Sequence, residues 1–404
     1  MSDDLPADWI APPGLLRRGA PAAVLAALPG ARAVGGAVRD ALAGRPVHDV
    51  DVAAPLPPEG IAGRLRAAGL RVFETGLAHG TVTAVLDREP VEVTSLRRDV
   101  ATDGRHAEVA WTTDWREDAA RRDFTINAMS LSAEGALWDY FGGRADLAAG
   151  RVRFVGDPAT RLREDYLRAL RFFRFQARYG TGAPDATAVA AIRMAVPGLA
   201  RLSAERVWME LKRLMQAPDP CEALALMAEA GVLAAVLPEA LDLTLLGRLV
   251  GIGAPVEPLL RIAALLPAGA AEAVAGRLRL SGEEREGLAD LLSLPRPTPG
   301  DGDAVLRRLL AVRDHASVLD RTWLGEAEQG GEGWVALRQR IAALERPVFP
   351  LQGRDALAAG LAPGPSVGRL LAALRGWWLE GGCTAGREAC LARLRELAAG
   401  RPEG

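Results

Sequence analysis

The chain of 404 residues contains few of the side chains that build disulfide frameworks or zinc sites. Its 3 cysteines are odd in number and widely spaced, and its 4 histidines show no metal-ligand spacing, so neither kind of scaffold is predicted. No apolar run is long enough to span a bilayer, and the first ten residues hold aspartates instead of an apolar signal core. We therefore expect a cytoplasmic protein that has no membrane partner.

Lysine is also nearly absent, and basic charge is unevenly distributed along the chain. Lys212 is the only lysine among 49 basic residues, a bias that we attribute first to a GC-rich genome, so arginine richness alone says little about RNA. Residues 151–215 carry 13 basic against 6 acidic side chains, whereas the segments before and after them are net acidic. A polyanion would be drawn to this basic segment, and its binding should weaken with salt.

The spacing of apolar residues separates a mixed first part from a helical remainder. Short alternating runs punctuated by Gly and Pro predict strands at 34–38, 50–53, 71–73, 81–86 and 91–94. From residue 159 onward, apolar residues recur at the three- and four-residue steps of helices. We expect an α/β head with a small mixed sheet and flanking helices over 1–150, then an all-α neck over 151–217 and an all-α body and tail over 218–404.

A pair of glycines after an apolar run predicts a phosphate-binding turn. Gly35 and Gly36 follow residues that are typical of a buried strand, and glycines let backbone N–H groups approach phosphate oxygens closely. Arg39 would add a planar, permanently charged group for the same oxygens. Paired glycines after a strand are more often an ordinary turn, so this prediction depends on the residues that follow.

Two acidic residues two positions apart lie just after the glycines. Asp49 and Asp51 would project from one face of a strand, because successive side chains alternate between faces. Neighbouring carboxylates repel each other unless a cation neutralises them, and Mg²⁺ is the ion that bridges carboxylates and nucleotide phosphates. Glu92, in another alternating run, is a candidate to complete a carboxylate triad. A lone pair of aspartates is more often surface acid, but glycines and carboxylates together predict nucleotide chemistry.

Two further motifs occupy residues 121–128 and 164–171. With the glycines, the aspartate pair and the segment 92–97, they resemble the class II tRNA nucleotidyltransferases, the CCA-adding enzymes of the polymerase β superfamily. The similarity extends over residues 30–215, and bacterial poly(A) polymerases share most of these motifs. The resemblance implies addition of CCA to tRNA from CTP and ATP, with two Mg²⁺ ions held by Asp49 and Asp51 and with Glu92 completing the metal site.

The resemblance also implies roles for residues in the two later motifs. It places Arg122, Asp123 and Asn127 around the ribose and triphosphate of the nucleotide. The alternative is an Arg–Asp ion pair with an Asn cap that joins head to neck. Arg171 and Arg174 would hold phosphates or shape the nucleotide pocket, with packing or solvation of the neck as the alternative.

The choice of nucleotide base is expected to depend on Asp165 and Arg168. Apolar residues at helical steps predict one helix that carries both side chains on the same face. Aspartate only accepts and arginine only donates hydrogen bonds, so the pair complements cytosine and adenine and leaves polar groups of uracil and guanine unpaired. The resemblance assigns this selective role to the same positions. Seen alone, the pair would most often be a solvated ion pair.

A long polar segment at 97–118 predicts an irregular loop, which at this length is typically functional or mobile. Residues 99–115 within it resemble the flexible loop that CC-adding relatives lack. The last 30 residues hold five Arg and four Glu, without the basic extension of bacterial poly(A) polymerases. Alternatives to a complete CCA-adding enzyme are a poly(A) polymerase, an A-only tRNA nucleotidyltransferase and, least favoured, an RNA-binding protein with an inert head.

Overall fold

The structure is a computed structural model that describes residues 4–76, 80–102, 107–240 and 242–399. The chain divides into two compact units, Met1–Pro238 and Glu239–Gly404. Each unit has its own buried apolar core. The finer division into head, neck, body and tail at residues 150 and 217 stays a prediction.

The first unit is built on a mixed sheet. Its described strands are β1 (Asp8–Trp9), β2 (Arg32–Val34), β3 (Asp51–Ala54), β4 (Arg71–Gly76), β5 (Thr81–Leu86), β6 (Glu89–Ser95), β7 (Arg97–Thr102), β8 (Ala107–Trp111), β9 (Met129–Leu131) and β10 (Ala136–Asp139). Eight of them form one sheet in the order β1-β10-β9-β2-β3-β6-β5-β4, in which β3 and β6 are parallel and the other neighbours antiparallel. The α/β head that the sequence predicts is confirmed.

Helices cover this sheet and continue through the rest of the first unit. Those among the strands are α1 (Gly19–Ala27), α2 (Gly36–Leu42), α3 (Pro58–Ala67), α4 (Trp115–Ala120) and α5 (Gly143–Ala148). They are followed by α6 (Pro158–Glu164), α7 (Leu167–Tyr179), α8 (Ala186–Ala195), α9 (Ala204–Met215), α10 (Cys221–Glu229) and α11 (Val232–Val236). Apolar side chains of α1 and α3, such as Val24 and Ile61, pack with Val52 and Val93 of the central strands in one buried core. This core fixes the two strands, β3 and β6, that carry Asp51 and Glu92.

Two predictions for the head are wrong. The strand predicted at 34–38 ends at Val34, because Gly35 adopts a φ of +66° and turns the chain into α2. The irregular loop predicted at 97–118 contains the antiparallel hairpin of β7 and β8, followed by α4. This hairpin is a separate two-stranded sheet, so its sequence lacks the apolar alternation of strands in the main sheet. Arg105 and His106 of the same segment lie outside the described residues.

The helix predicted to carry both Asp165 and Arg168 is interrupted. Helix α6 ends at Glu164 and α7 begins at Leu167, while Asp165 has extended backbone with φ −155° and ψ 107°. The Asp165 carboxylate accepts a hydrogen bond from the N–H of Leu167 at 3.0 Å. An aspartate side chain that binds nearby backbone N–H groups competes with helix continuation. The two residues therefore do not share one helix face, and that prediction is wrong.

The second unit is all helical in its described part, as the sequence predicts. Its helices are α12 (Thr244–Gly251), α13 (Pro258–Ala263), α14 (Ala271–Leu278), α15 (Gly282–Leu291), α16 (Asp303–Val312), α17 (His315–Gln329), α18 (Trp334–Ala343), α19 (Gly353–Ala358), α20 (Pro365–Glu380) and α21 (Arg387–Ala399). Trp334 and Trp378 lie in two separate buried clusters. No helix within the described ranges is long and apolar enough to cross a membrane. The three cysteines are free thiols.

Candidate active site

A cleft of about 740 Å³ in the first unit brings together residues of the head and of the helices that follow it. Nine arginines and four aspartates line the cleft, so its charge favours an anionic ligand. Eleven of the residues predicted from the sequence are part of its lining, namely Gly35, Gly36, Arg39, Asp51, Arg122, Asp123, Asn127, Asp165, Arg168, Arg171 and Arg174. The cleft also contains residues that the sequence analysis left unassigned, namely Asp40, Arg121, Leu167, Phe175, Arg178, Tyr179, Arg206, Arg213 and Gln216.

The acidic residues Asp51 and Glu92 lie on two neighbouring parallel strands. Asp51 opens β3 and is paired in register with Glu92 of β6. Asp49 precedes β3, but exposure alternates over residues 49–52, so Asp49 and Asp51 both keep solvent-accessible side chains while Val50 and Val52 are buried. Asp49 and Glu92 are not part of the cleft lining among the described residues, and they lie beside Asp51 instead.

The electrostatics of Asp51 favour a bound cation. Protein surrounds the side chain on several sides, and this desolvation raises the pKa of Asp51, as do the charges of Glu92 and Asp49, while Arg122 lowers it. Accumulated carboxylate charge of this kind fits a hard divalent cation, which prefers oxygen ligands. Within the described residues no group of three His, Cys, Asp or Glu side chains is close enough to hold a metal ion. The complete carboxylate triad stays a prediction.

The glycine turn is shaped by Arg122. A Cβ atom at Gly35 would lie 3.1 Å from Nη1 of Arg122, and the positive φ of Gly35 also disfavours any other residue there. Arg122 is held by Asp118 of α4, with Nη2 and Oδ2 3.3 Å apart. Burial works to raise the pKa of Asp118, but Arg121 and Arg122 together hold it below its ordinary value. Asp118 escaped the sequence analysis because its helix was interpreted as loop.

A chain of polar contacts connects the head to α7. Arg39 Nη1 donates to Asn127 Oδ1 at 2.6 Å, and Asn127 Nδ2 donates to Asp123 Oδ1 at 2.9 Å. Arg171 Nε then donates to Asp123 Oδ2 at 2.7 Å. Burial works to raise the pKa of Asp123, but Arg171 and the hydrogen bonds to its carboxylate lower it. The alternative pair of Arg122 with Asp123 is not what these contacts show, because Asp123 pairs with Arg171.

Glu210 is a buried acid that the sequence analysis missed. It lies on α9 with 3% of its surface exposed. Its carboxylate is 2.9 Å from Arg174 Nε, 3.3 Å from Arg213 Nη1 and 3.8 Å from Arg171 Nη1. Burial lowers the pKa of Arg174 to about 10, although Glu210 opposes this shift. The sequence did contain a signal for this burial, because Glu210 falls on the apolar face of its helix.

Asp165 and Arg168 both line the cleft although they belong to different elements. The second oxygen of Asp165 is 2.7 Å from Arg206 Nη2 of α9. Arg168 Nη1 binds the Glu164 carboxylate and the Arg161 carbonyl, and its Nη2 donates to the Arg121 carbonyl at 3.1 Å. The described residues thus occupy three of the five N–H groups of Arg168. Both side chains line the cleft, and two N–H groups of Arg168 are not bound by the described residues.

Comparison with known proteins agrees with this arrangement. Residues 31–153 match the family model of the poly(A) polymerase head domain, and residues 184–243 match a model described as the probable RNA and SrmB-binding site of polymerase A. CCA tRNA nucleotidyltransferase 1, mitochondrial, from Mus musculus is 35% identical over 90% of this chain and 86% of its own length. The corresponding enzyme from Danio rerio is 48% identical over 50% of this chain, an alignment that spans 47% of that relative.

A solved structure extends the similarity to three dimensions. The CCA-adding enzyme of Bacillus stearothermophilus, solved in complex with CTP, superposes with a TM-score of 0.73 at 29% identity, over 91% of this chain and 93% of that one. Nucleotidyltransferases of this group depend on metal ions. From the motifs, the cleft and these similarities together, the chain belongs to the tRNA nucleotidyltransferase and poly(A) polymerase family.

Proposed function

We propose that this protein adds CCA to the 3′ end of tRNA without a nucleic-acid template, using CTP and ATP and releasing pyrophosphate. The observation that carries the proposal is that one cleft contains both Asp51 of the head and the Asp165 and Arg168 pair. The first belongs to a group of carboxylates suited to metal ions. The second offers hydrogen-bonding groups suited to a base. Phosphoryl transfer requires mainly positioning and charge neutralisation, so no covalent protein nucleophile is needed.

The metal ions are proposed to be Mg²⁺, held by Asp49 and Asp51 with Glu92 beside them. Two such ions, when bound, activate the tRNA 3′-hydroxyl and neutralise the triphosphate and its leaving group. The chain supports this site with the parallel register of β3 and β6, which keeps Glu92 next to Asp51. The raised pKa of Asp51 supports it too, because the same neighbours that raise it would share a cation.

The triphosphate is proposed to bind near the glycine turn. Gly35 and Gly36 let the backbone come close to phosphate oxygens, and Arg39 and Arg122 face the same part of the cleft. Asn127 and Asp123 also line the cleft, and they hold Arg39 and Arg171 in place by hydrogen bonds. Arg171 and Arg174 extend the positive lining toward the neck. The ribose and phosphates would therefore lie between β3 and α7.

The base is proposed to be chosen by Asp165 and Arg168. Cytosine and adenine each present an amino donor beside a ring acceptor, which an aspartate acceptor and an arginine donor complement. Uracil and guanine present a carbonyl and an N–H at these places, and unpaired polar groups in a desolvated site are costly. Arg206 holds the Asp165 carboxylate in position, and Glu164 holds the Arg168 guanidinium. These contacts replace the shared helix that the sequence predicted.

The RNA partner is proposed to be tRNA, bound mainly through the basic segment 151–215. The named relatives act on tRNA, and the bacterial structure contains CTP. A second candidate is poly(A) addition or A-only addition to tRNA, since the matching family models carry poly(A) polymerase names. The cytoplasmic location stays a prediction from the sequence.

One assay separates these candidates. The enzyme is incubated with tRNA transcripts that lack one, two or three terminal nucleotides, each NTP is offered alone and in mixtures, and the products are sequenced. The proposal predicts restoration of CCA on all three transcripts and then termination. Addition of A alone to the transcript that lacks one nucleotide would identify an A-only enzyme, and long A tails would identify a poly(A) polymerase.

A further inference from the structure

Tyr179, the last residue of α7, connects that helix to the head. Its hydroxyl donates a hydrogen bond to Oδ1 of Asp40, which follows Arg39 on α2. Two guanidinium groups, those of Arg39 and Arg45, each lie 4.5 Å from the centroid of its ring. Arg45 also donates to the carbonyl of Arg178 at 2.6 Å. One aromatic side chain thus contacts three residues of a segment whose glycines begin the cleft.

Asp40 in turn binds the guanidinium of Arg39. Its carboxylate accepts from Arg39 Nε at 3.1 Å and from Arg39 Nη2 at 3.1 Å, a two-point contact that fixes the plane of the guanidinium. Arg39 Nη1 donates to Asn127. Described residues therefore use three of the five N–H groups of Arg39, and the other two remain for a ligand in the cleft. Asp40 and Asn127 thus fix the orientation of the Arg39 guanidinium.

The same helix α7 reaches Arg39 at a second point. Arg171, two turns before Tyr179, binds Asp123, and Asp123 binds the Asn127 that contacts Arg39. The two routes form a closed ring of polar contacts between α2 and α7. Because α7 is a continuous helix, this closed set of polar contacts sets the separation between Arg39 and the start of α7, where Arg168 lies.

We propose that Tyr179 is a positioning residue that acts through Asp40 to hold Arg39 in the orientation that binds the triphosphate. It also keeps Arg39 at a fixed distance from the start of α7, which carries the base-selecting residue Arg168. This inference rests on the proposed function. Burial and the hydrogen bond to Asp40 raise the pKa of the Tyr179 phenol, although Arg39 lowers it, so the hydroxyl remains a donor at neutral pH. The role concerns phosphates and not bases, because Tyr179 contacts α2 and lies at the far end of α7 from Arg168.

The test compares two tyrosine-to-phenylalanine variants. Tyr179→Phe keeps the ring near both arginines and removes only the hydroxyl. Tyr140→Phe is the matched control, because the Tyr140 hydroxyl likewise donates to an aspartate, Asp4, and Tyr140 is not among the described residues that line the cleft. For Tyr179→Phe we expect the KM values for CTP and ATP to rise together by roughly 5- to 10-fold, with kcat within about twofold of wild type. Discrimination against UTP and GTP should not change.

Asp40→Asn completes a double-mutant cycle and replaces Tyr179→Phe if that variant fails to fold. The KM values of the double variant should be no higher than those of Asp40→Asn alone, because both changes disturb one contact.

Calorimetric titration of CTP into enzyme without tRNA gives a second readout, and the Kd should rise by the same factor as KM. An unchanged KM and Kd for Tyr179→Phe, or equal changes in Tyr140→Phe, would overturn the proposal and leave Tyr179 a structural joint. If the wild type adds no nucleotide, the proposed function fails, and the Kd values still decide the role of Tyr179.

Discussion

Asp51 and Glu92 lie side by side at the edge of the cleft, because β3 and β6 pair in parallel with these two residues in register. Desolvation and the charge of Glu92 raise the pKa of Asp51. Sheet pairing thus brings together two acids that are distant in sequence. Because their carboxylates repel each other, a cation bound between them would stabilise the protein.

Removal of the acidic side chains should stop catalysis and spare RNA binding. Asp49→Ala and Asp51→Ala are expected to abolish nucleotide addition, because they remove the proposed metal ligands, and Glu92→Gln should be severely impaired. tRNA affinity in a gel-shift assay should stay near wild type, since the basic segment is intact. Glu59→Ala, an exposed acid at the start of α3, is the control that should keep full activity. Retained turnover in both aspartate variants would refute the metal assignment.

The raised pKa of Asp51 also predicts a pH effect on stability. An acid whose folded-state pKa is raised contributes stability below its unfolded pKa and loses it as the pH rises through the folded value. At neutral pH in the absence of divalent ions, Asp51→Asn should therefore have a higher Tm than wild type, and the difference should shrink below the unfolded pKa of Asp51. Mg²⁺ should raise the Tm of wild type more than that of the variant. Equal Tm values at every pH, with equal responses to Mg²⁺, would contradict this account.

Substitution of the base-selecting pair should relax selectivity. Asp165→Ala and Arg168→Ala remove rejecting groups along with pairing groups, so UTP or GTP incorporation should rise relative to CTP and ATP. Each lost base-edge contact should forfeit roughly 1 to 3 kcal/mol of discrimination, by analogy with base readout in nucleic-acid complexes. Competition assays with mixed NTPs measure the ratio. Arg163→Ala, on α6 and exposed, is a control that should leave it unchanged. Wild-type selectivity at reduced rate would show that the pair is only structural.

Glu210 should be essential for the shape of the arginine-lined wall. Glu210→Gln leaves a similar volume but removes the charge that three arginines share, and loss of one partner from a buried ionic group typically costs roughly 3 to 5 kcal/mol. We expect a clear fall in Tm, measured by thermal unfolding, and weaker CTP binding. Glu205→Gln, on the exposed side of the same helix, should change neither. A Tm within error of wild type for Glu210→Gln would be inconsistent with this role.

The hairpin of β7 and β8 is expected to act in the change from C to A addition. Replacing residues 100–109 by a short turn should leave addition of the two C residues working and selectively remove the terminal A. Product sequencing on tRNA without its CCA end gives the answer directly. Equal loss of both steps would indicate that the hairpin only supports the fold.

Local patterns were sufficient for strand β5. The strand predicted at 81–86 is confirmed with the same bounds, because alternation of apolar and polar residues is a property of the strand itself. The motif residues Gly35, Asp51 and Arg171 also meet in one cleft, as their shared chemistry suggested. Residues that line one cleft can be recognised by residue type even when their contacts cannot be predicted.

Contacts between distant segments decided the features that the sequence did not reveal. Asp165 ends one helix and accepts a hydrogen bond from the N–H of Leu167 at the start of the next, although apolar periodicity continues across it unbroken. Glu210 is buried because arginines of another helix neutralise it, and periodicity alone cannot identify those partners. The pairing of β7 with β8 depends on backbone hydrogen bonds, which polar sequences form as readily as apolar ones.

The most direct test of the account is addition of nucleotides to tRNA that lacks its entire CCA end. With CTP, ATP and Mg²⁺ present, we expect the sequenced products to end in CCA, with addition stopping there, and with CTP alone we expect them to end in CC. Products that carry only A residues, or no added nucleotide, would contradict the claim that this cleft selects C and then A.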